Sequence, residues 1–267
     1  MTTFAEGIAD GVTITKRNLI KLKRVPDLIV FATLSPIMFV LLFRYVFGSA
    51  ISTGGIGYAE FLLPGIFAQT VFFGSTITGS SLAEDLQKGL IDRFRSLPMA
   101  RSAVLVGRTV ADIGLNIVTI FVMSVTGYIV GWRIHTSFFE ALEAFLLLLV
   151  FAFSISWLMA TLGLLVRTPE VFNNASFIVI FPLTFVANTF VPSSGFPTVL
   201  RVFADWNPVS TITQAIRNLF GNTSTTLKIS NAWSIQHPVT YTLIWIVILL
   251  AVFVPLAVRQ YLRSALR

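Results

Sequence analysis

The sequence predicts an all-α membrane protein with six transmembrane helices, an amphipathic helix at the N-terminus and a re-entrant helical hairpin before the last span. Composition is the first reason. The 267 residues are 55% hydrophobic and only 12% charged, whereas soluble domains contain about 25% charged residues. Hydropathy is the second reason, because the apolar residues form six stretches of roughly 20, the length that crosses the hydrocarbon core as a helix.

The six predicted spans are residues 28–47, 61–82, 104–132, 142–166, 171–191 and 239–258. Cytoplasmic loops of membrane proteins carry an excess of Lys and Arg. All but five of the 19 Lys and Arg residues fall on the side of the spans that holds both termini; the five are Arg44, Arg133, Arg201, Arg217 and Lys228. We therefore expect both termini in the cytoplasm.

Residues 1–26 are predicted to form an interfacial helix, and residues 27–267 the transmembrane domain. One apolar stripe recurs every three or four residues, the spacing of a helix face, and consists of Phe4, Ile8, Val12, Thr15, Leu19 and Leu22. The C-terminal half of the segment is basic, which favours binding to anionic lipid. The alternative is a disordered basic segment that only sets the topology.

Residues 192–222, between the fifth and sixth spans, are moderately apolar. Proline interrupts them at positions 197 and 208, leaving the pieces Pro197–Trp206 and Val209–Phe220, both too short to span. We expect a re-entrant hairpin in the outer leaflet, which is permitted where the backbone is buried in protein. An external loop with surface helices is the alternative.

Residues 83–101 form a charged segment between the second and third spans. A stripe of apolar residues runs through it and ends before Pro98, which cannot continue a helix; the stripe is Leu82, Leu86, Leu90, Phe94 and Leu97. A helix this short with one apolar face lies on the membrane, docks onto another protein or packs under its own bundle. The pattern alone does not favour docking onto another protein over packing under its own bundle.

Several kinds of chemistry are missing from the sequence. It has no cysteine and two histidines, and it contains neither a GxxxxGK[ST] phosphate loop nor an HExxH metal motif. Arg108 and Asp112 are expected to neutralise each other near the inner interface, since they lie four apart on one helix face. We predict a non-catalytic chain with no metal or cofactor of its own, and no nucleic-acid partner, because the net charge of +7 is explained by cytoplasmic loops.

Four motifs resemble those of ABC type-2 permeases, and in particular the membrane subunits of daunorubicin/doxorubicin-resistance drug exporters. In chain order they are "YVFGSAI", "FLLPGIFAQ", "EDLQKGLIDRFRSLPMAR" and "FPLTFVANTFVPSSGFPTVLRVFADWNPVSTITQAIRNL". The resemblance implies the type V ABC exporter fold in the plasma membrane. It also implies a second permease chain, identical or related, and two copies of a separate nucleotide-binding ATPase subunit that holds ATP and Mg.

The resemblance further implies ATP-driven export of a hydrophobic or amphipathic drug or lipid. Two alternatives stay open: export of a lipid-linked glycan by the same mechanism, and ion-coupled secondary transport. By position, the residues implied to couple the chain to the ATPase are Glu84, Asp85, Gly89, Leu90, Arg93, Phe94, Leu97 and Pro98. Candidates for the substrate pathway are Phe67, Phe72, Phe73, Phe181, Phe185 and Asn188, for which plain helix packing or lipid contact is the alternative.

Overall fold

The computed structural model describes residues 4–24, 26–51, 53, 55–91, 103–224, 226 and 230–263. Within these ranges all regular secondary structure is helical, which confirms the predicted all-α class. Helices suit an apolar chain of this kind, because a backbone in lipid must satisfy its hydrogen bonds internally.

The helices follow one another with short connections. They are α1 (Phe4–Arg24), α2 (Pro26–Leu42) with a π-helical turn at its end (Phe43–Phe47), α3 (Tyr58–Gln87), α4 (Ala103–Val130), α5 (Phe138–Gly163), α6 (Pro169–Phe185), α7 (Thr198–Trp206), α8 (Pro208–Phe220), α9 (Trp233–Gln236) and α10 (Pro238–Arg263).

Four of these helices, α3, α4, α5 and α10, are long and apolar enough to cross a membrane. They correspond to the second, third, fourth and sixth predicted spans. The first predicted span contains a shorter apolar stretch, Ala32–Phe47, and the fifth corresponds to the 17-residue α6. The protein is therefore a multi-pass membrane protein whose first and fifth predicted spans are built from shorter helices.

α3 lies at the centre of the bundle and packs against α4, α5, α6 and α8. Its N-terminal half is surrounded by aromatic side chains: the ring of Phe67 lies 5.4 Å from Trp132 and 6.2 Å from Phe220. A second buried cluster at the opposite end joins Leu82 and Ile91 to residues of α4, α5 and α10. One helix thus connects the two ends of the molecule.

α1 docks against the start of α4. Ile14 is buried there, and Thr15 donates a hydrogen bond to the carbonyl of Gly107 at 3.3 Å. The contact requires glycine, since a Cβ at Gly107 would lie 2.6 Å from the Cβ of Ile14. Thr15 belongs to the predicted apolar stripe, whereas Val12 of the same stripe is 62% exposed, so the face that contacts α4 overlaps that stripe only in part.

α7 and α8 meet at Asn207, beside the end of α6. Asn207 joins them: its side chain accepts a hydrogen bond from the Val209 amide at 2.8 Å and donates to the carbonyls of Leu183 at 2.7 Å and Val186 at 3.1 Å. These bonds cap the N-terminus of α8 and the C-terminus of α6 together. The fifth predicted span continues to residue 191, but the helix ends at Phe185. The Asn207 side chain donates hydrogen bonds to the carbonyls at this end, which therefore need no further helical turn.

Candidate functional site

A cavity of about 310 Å³ lies beside the middle of α3, in the size range of small-molecule sites. Its walls come from α2, α3, α4 and α6. They consist of Ala32, Ser35, Pro36, Phe39, Ile66, Gln69, Thr70, Phe73, Gly74, Ile77, Leu115, Thr119, Phe177, Phe181 and Phe185.

The α6 wall of the cavity is a ladder of phenylalanine rings. Phe177 and Phe181 have ring centroids 5.2 Å apart, and Phe181 and Phe185 stack at 4.1 Å. Residues four apart lie on one helix face, so the three rings present one aromatic surface. Phe39 of α2 closes its end, with its ring 6.3 Å from that of Phe185. Phe181 is 41% exposed, so the surface reaches the outside of the bundle.

Two polar side chains of α3 interrupt this apolar lining. Gln69 is 5% exposed and Thr70 is 6% exposed. Among the described residues the Thr70 hydroxyl has no hydrogen-bond partner. Thr119 differs, because its hydroxyl donates to the carbonyl of Leu115 at 2.9 Å. Buried polar groups are nearly always paired, so the unpaired Thr70 hydroxyl is unusual.

The predicted pathway residues divide between the cavity and the interior. Phe73, Phe181 and Phe185 line the cavity together. Phe67 and Phe72 do not: both are buried on other faces of α3, and Phe72 packs against Phe151 of α5 with ring centroids 6.2 Å apart. The α3 residues that line the cavity recur at spacings of three and four, which is one helix face, and Phe67 and Phe72 lie outside this face; the lining residues are Ile66, Gln69, Thr70, Phe73, Gly74 and Ile77.

Asn188, the sixth pathway candidate, lies in the turn after α6 and is 6% exposed. Its backbone carbonyl accepts a hydrogen bond from Arg217 of α8 at 2.7 Å. Arg217 is 2% exposed and also donates to the carbonyls of Thr189 at 3.3 Å and Phe61 at 3.0 Å. The guanidinium therefore ties α8 to α3 and to the turn that follows α6.

The C-terminal end of α3 carries the first predicted coupling residues. Glu84 and Lys88 form a half-exposed ion pair, and the hydrogen bond to Glu84 raises the pKa of Lys88. Asp85 faces α4, with its carboxylate 3.9 Å from the Arg108 guanidinium. Glu84 and Lys88 are thus available at the surface, whereas Asp85 is largely covered.

α3 ends at Gln87 and the chain turns at Gly89, whose φ is +66°. A left-handed residue cannot continue a right-handed helix. The predicted stripe from Leu82 to Leu97 is therefore not one helix face, because it is interrupted after Leu86. Leu90 follows the turn and is half-buried. The coupling candidates Arg93, Phe94, Leu97 and Pro98 lie outside the described residues.

Arg108 and Asp112 were predicted to neutralise each other, and the Arg108 charge does act on the Asp112 carboxyl group, but each side chain also has a partner on α3. Arg108 is within ion-pair distance of Asp85. Asp112 is 7% exposed and accepts a hydrogen bond from Thr78 of α3. Both charges thus contact α3, since α3 and α4 pack directly together. In the described part of the chain, no group of three or more His, Asp or Glu side chains could hold a metal ion.

A multi-pass helical bundle with a ligand-sized cavity and a charged turn at the end of its central helix has the features of a membrane transport protein. Residues 11–220 match the family described as "ABC-2 type transporter", and the chain belongs to this family. Members of the family are the permease components of ABC transporters.

Characterised relatives cover most of the chain. It is 34% identical to a daunorubicin resistance ABC transporter permease protein, DrrB1, of Streptomyces coeruleorubidus, across 96% of this chain and 88% of the relative. It is 26% identical to a putative transport permease, ycf38, of Cyanophora paradoxa, across 81% and 76%. It is 24% identical to a probable doxorubicin resistance ABC transporter permease protein, DrrC, of Mycobacterium tuberculosis, across 79% and 76%.

Three residues of the site were missed in the sequence analysis. Gln69 and Thr70 are polar residues inside an apolar span, and Gln69 ends the quoted motif "FLLPGIFAQ". Arg217 was counted only as an outer-side charge, although a charged residue within a moderately apolar segment is itself a signal of a buried contact. Each signal was present in the sequence, but the partner helices could be identified only from the fold.

Proposed function

We propose that this chain is the membrane subunit of an ATP-driven exporter that moves a hydrophobic or amphipathic compound out of the cytoplasm or the inner leaflet. The observation that carries the proposal is the aromatic cavity between α2, α3, α4 and α6. Its size and apolar walls suit a drug-like molecule. The names of two relatives, which concern daunorubicin and doxorubicin resistance, support a drug as the cargo.

In this proposal the chain crosses the plasma membrane six times, with both termini in the cytoplasm. α2 with its π-helical turn and α6 supply the two additional spans, and α1 lies on the inner surface. α7 and α8, with nine and 13 residues, form a re-entrant hairpin in the outer leaflet. The burial of nearly all of α8 supports re-entry, because backbone at membrane depth is tolerated when it is buried in protein.

We assign the coupling surface to the turn after α3. Two ATPase subunits, which hold ATP and Mg, serve a pair of permease chains, identical or related. Glu84 and Lys88 offer exposed charge, and Gly89 supplies the reversal of direction. Arg93, Phe94, Leu97 and Pro98 complete the assignment by family position. Because α3 carries both this turn and the cavity wall, displacement of the turn is transmitted along a single helix.

The residues of this chain play distinct parts in the proposed transport cycle. Phe177, Phe181 and Phe185 hold the apolar body of the cargo within the cavity. The turn at Asn188 and Arg217 of α8 lie on the outer side of the cavity and restrict exit in the described conformation. Motion of α3 relative to α6, driven from the cytoplasmic turn, opens this side. No chemical bond in the cargo is formed or broken by this chain.

The test uses inside-out vesicles that contain the chain and its ATPase subunit, with daunorubicin as the fluorescent probe. ATP-dependent uptake is expected, and Phe181→Ala is expected to reduce it several-fold while ATP hydrolysis continues. Phe138→Ala is the control, since Phe138 is 75% exposed and does not line the cavity. Absence of ATP-dependent uptake, or failure of a tagged chain to copurify an ATPase, would contradict the proposal.

One observation favours ion-coupled transport as a second candidate function. Asp112 is a buried carboxyl group within α4, and intramembrane carboxyl groups carry protons in many ion-coupled transporters. The same vesicles separate the two functions. Uptake that persists without ATP but collapses with a proton ionophore indicates ion coupling, whereas ATP-dependent uptake that is insensitive to the ionophore indicates the ABC mechanism. Asp112→Asn abolishes uptake only in the first case.

A further inference from the structure

A groove of about 330 Å³ lies on the surface of the bundle between the first halves of α5 and α10, and it shares no residue with the aromatic cavity. Its walls are apolar except at Glu143 of α5. We propose that this groove binds a phospholipid with a primary-ammonium headgroup, namely phosphatidylethanolamine. One acyl chain lies along the apolar walls, and the ammonium group pairs with the Glu143 carboxylate. This lipid is not the exported cargo, so the inference goes beyond the proposed function.

The shape of the groove suits an acyl chain. Leu142, Leu146 and Val150 of α5 recur every four residues and form one stripe, which is about 12 Å long at 1.5 Å per residue. Val239 and Leu243 form a second stripe on α10. Leu146 is 52% exposed and Leu243 is 46% exposed, so the groove is open along its side. Because α5 and α10 are both long and apolar enough to cross a membrane, we expect this surface to face lipid.

Glu143 lies at the depth of a lipid headgroup. α5 has 26 residues and is therefore about 39 Å long, whereas the hydrocarbon core is about 30 Å thick. Glu143 is the sixth residue of this helix, about 8 Å from its start. A helix centred in the bilayer thus places Glu143 within about 3 Å of the boundary between headgroups and hydrocarbon. Leu146 and Val150 lie further into the hydrocarbon, so an acyl chain in the groove extends away from the headgroup.

The Glu143 carboxylate has no counter-ion in the described part of the chain. Glu143 is exposed, and the ion pairs among the described residues do not include it. Glu140, one turn earlier, differs because it accepts hydrogen bonds from the Ser137 amide at 3.0 Å and the Ser137 hydroxyl at 2.8 Å. A carboxylate without a counter-ion is costly at the edge of the hydrocarbon. A lipid ammonium group supplies the missing charge.

The primary ammonium follows from the hydrogen-bonding capacity of the carboxylate. An ionised carboxylate only accepts hydrogen bonds, and an ammonium group of the lysine type offers three donors. The quaternary ammonium of phosphatidylcholine carries the same charge but has no N–H group, and phosphatidylglycerol has no cation. Hydrogen bonds between ionised partners are shorter and stronger than neutral ones. The groove should therefore prefer phosphatidylethanolamine to both.

A second copy of the chain fits this groove less well than a lipid. A two-fold symmetric contact uses the same surface of both copies, so it would bring two Glu143 carboxylates into one interface. The described walls of the groove contain no Lys, Arg or His to compensate them. Like charges that meet in an interface cost several kcal/mol, whereas a lipid ammonium group neutralises the carboxylate.

Competition between lipids with identical acyl chains tests this inference. The purified full chain is delipidated in detergent and mixed with equal amounts of palmitoyl-oleoyl phosphatidylethanolamine, phosphatidylcholine and phosphatidylglycerol. Native mass spectrometry then counts the lipids that remain bound. The wild-type protein is expected to retain phosphatidylethanolamine about two- to fivefold over each of the others, the range for one solvent-accessible ion pair.

Substitutions at the groove separate the charge from the apolar walls. Glu143→Gln keeps the size of the side chain and should reduce the preference to less than about 1.5-fold, because the ion pair is lost. Glu143→Lys reverses the charge and should make phosphatidylglycerol the preferred lipid. Leu146→Trp fills the groove and should lower retention of all three lipids without changing their order. Glu170→Gln is the control, since Glu170 is exposed in the first turn of α6 and does not line the groove.

Equal retention of the three lipids by the wild-type protein would overturn the inference and would indicate that water solvates Glu143. A preference that persists in Glu143→Gln, or that disappears in Glu170→Gln, would also overturn it. If Leu146→Trp converts a dimeric chain into a monomer without lowering lipid retention, the groove binds a second copy of the chain instead. None of these measurements uses ATP-dependent uptake, so the inference and the proposed function can fail separately.

Discussion

Replacement of Arg217 by Met is expected to destabilise the outer half of the protein. The guanidinium is buried and donates to the carbonyls of Phe61, Asn188 and Thr189 at 3.0, 2.7 and 3.3 Å. It also lies 3.8 Å from the centre of the Phe61 ring. Among the ion pairs of the described residues, none includes Arg217. Backbone carbonyls and one ring therefore solvate this cation.

The size of the effect follows from those contacts. The carbonyls of Asn188 and Thr189 accept no other hydrogen bond in the described chain. Removing the donor leaves each carbonyl buried and unpaired, which lowers the free energy of unfolding by about 1–3 kcal/mol per carbonyl. The lost cation–π contact adds about 0.5–2 kcal/mol. Relief of the desolvated charge offsets part of this, which leaves a net loss of about 3 kcal/mol. For a chain of this size that lowers the Tm by about 6–12 °C.

The assay is thermal unfolding in detergent, followed by tryptophan fluorescence at a fixed scan rate, because membrane proteins often unfold irreversibly. Arg201→Met is the matched control: Arg201 is exposed on α7, the helix before α8, and its replacement should change the Tm by about 1 °C or less. Arg217→Lys keeps the positive charge but lacks the planar guanidinium group, so its Tm should lie between those of the wild type and Arg217→Met. An Arg217→Met protein as stable as the wild type would refute the reasoning.

Three further predictions concern the contacts of α3 and α4. Gly107→Val forces its side chain into Ile14; we expect α1 to separate from α4, measured as faster proteolysis of α1, whereas unchanged proteolysis would argue against the docking. In Gly89→Pro, proline cannot adopt the positive φ of this turn, so the turn is distorted. We expect ATP hydrolysis to continue while drug uptake falls. Normal uptake would show that the turn is not part of the coupling surface. Asp85→Asn leaves the largely buried Arg108 without its carboxylate partner, and we expect the free energy of unfolding to fall by about 1–3 kcal/mol, measured by thermal unfolding. Restored stability in the double variant Asp85→Asn/Arg108→Gln would confirm the ion pair.

The all-α membrane fold and the family could be predicted from the sequence because both depend on local signals. Apolar stretches of span length identify the helices, and ordered motifs identify the family. Helix ends were less predictable. The fifth predicted span was placed too far along the chain, because the end of α6 at Phe185 is fixed by the side chain of Asn207, which lies on another helix. The turn at Gly89 was missed because the spacing of Leu86 and Leu90 fits a helix equally well.

The cavity could be predicted only in part, for a different reason. Hydropathy identifies a span but does not say which side of it faces a partner helix. Phe72 and Phe73 are adjacent and chemically identical, yet only Phe73 lines the cavity. Gln69 and Thr70 were overlooked because a polar residue in a span usually bonds a neighbouring helix, and their place on the cavity wall is a property of the assembled fold. The pathway and coupling assignments themselves remain predictions for the experiments above.

The attachment of α3 has a geometric consequence for the distances that its residues can move. Its first turn is fixed at the Phe61 carbonyl by Arg217, and its other end at Gln87 is about 39 Å away at 1.5 Å per residue. A tilt of about 5° around the fixed end displaces Gln87 by roughly 3 Å but Gln69 by only roughly 1 Å. In the proposed transport cycle, the central helix would therefore reduce a displacement of the Gly89 turn to a movement about one third as large at the cavity wall.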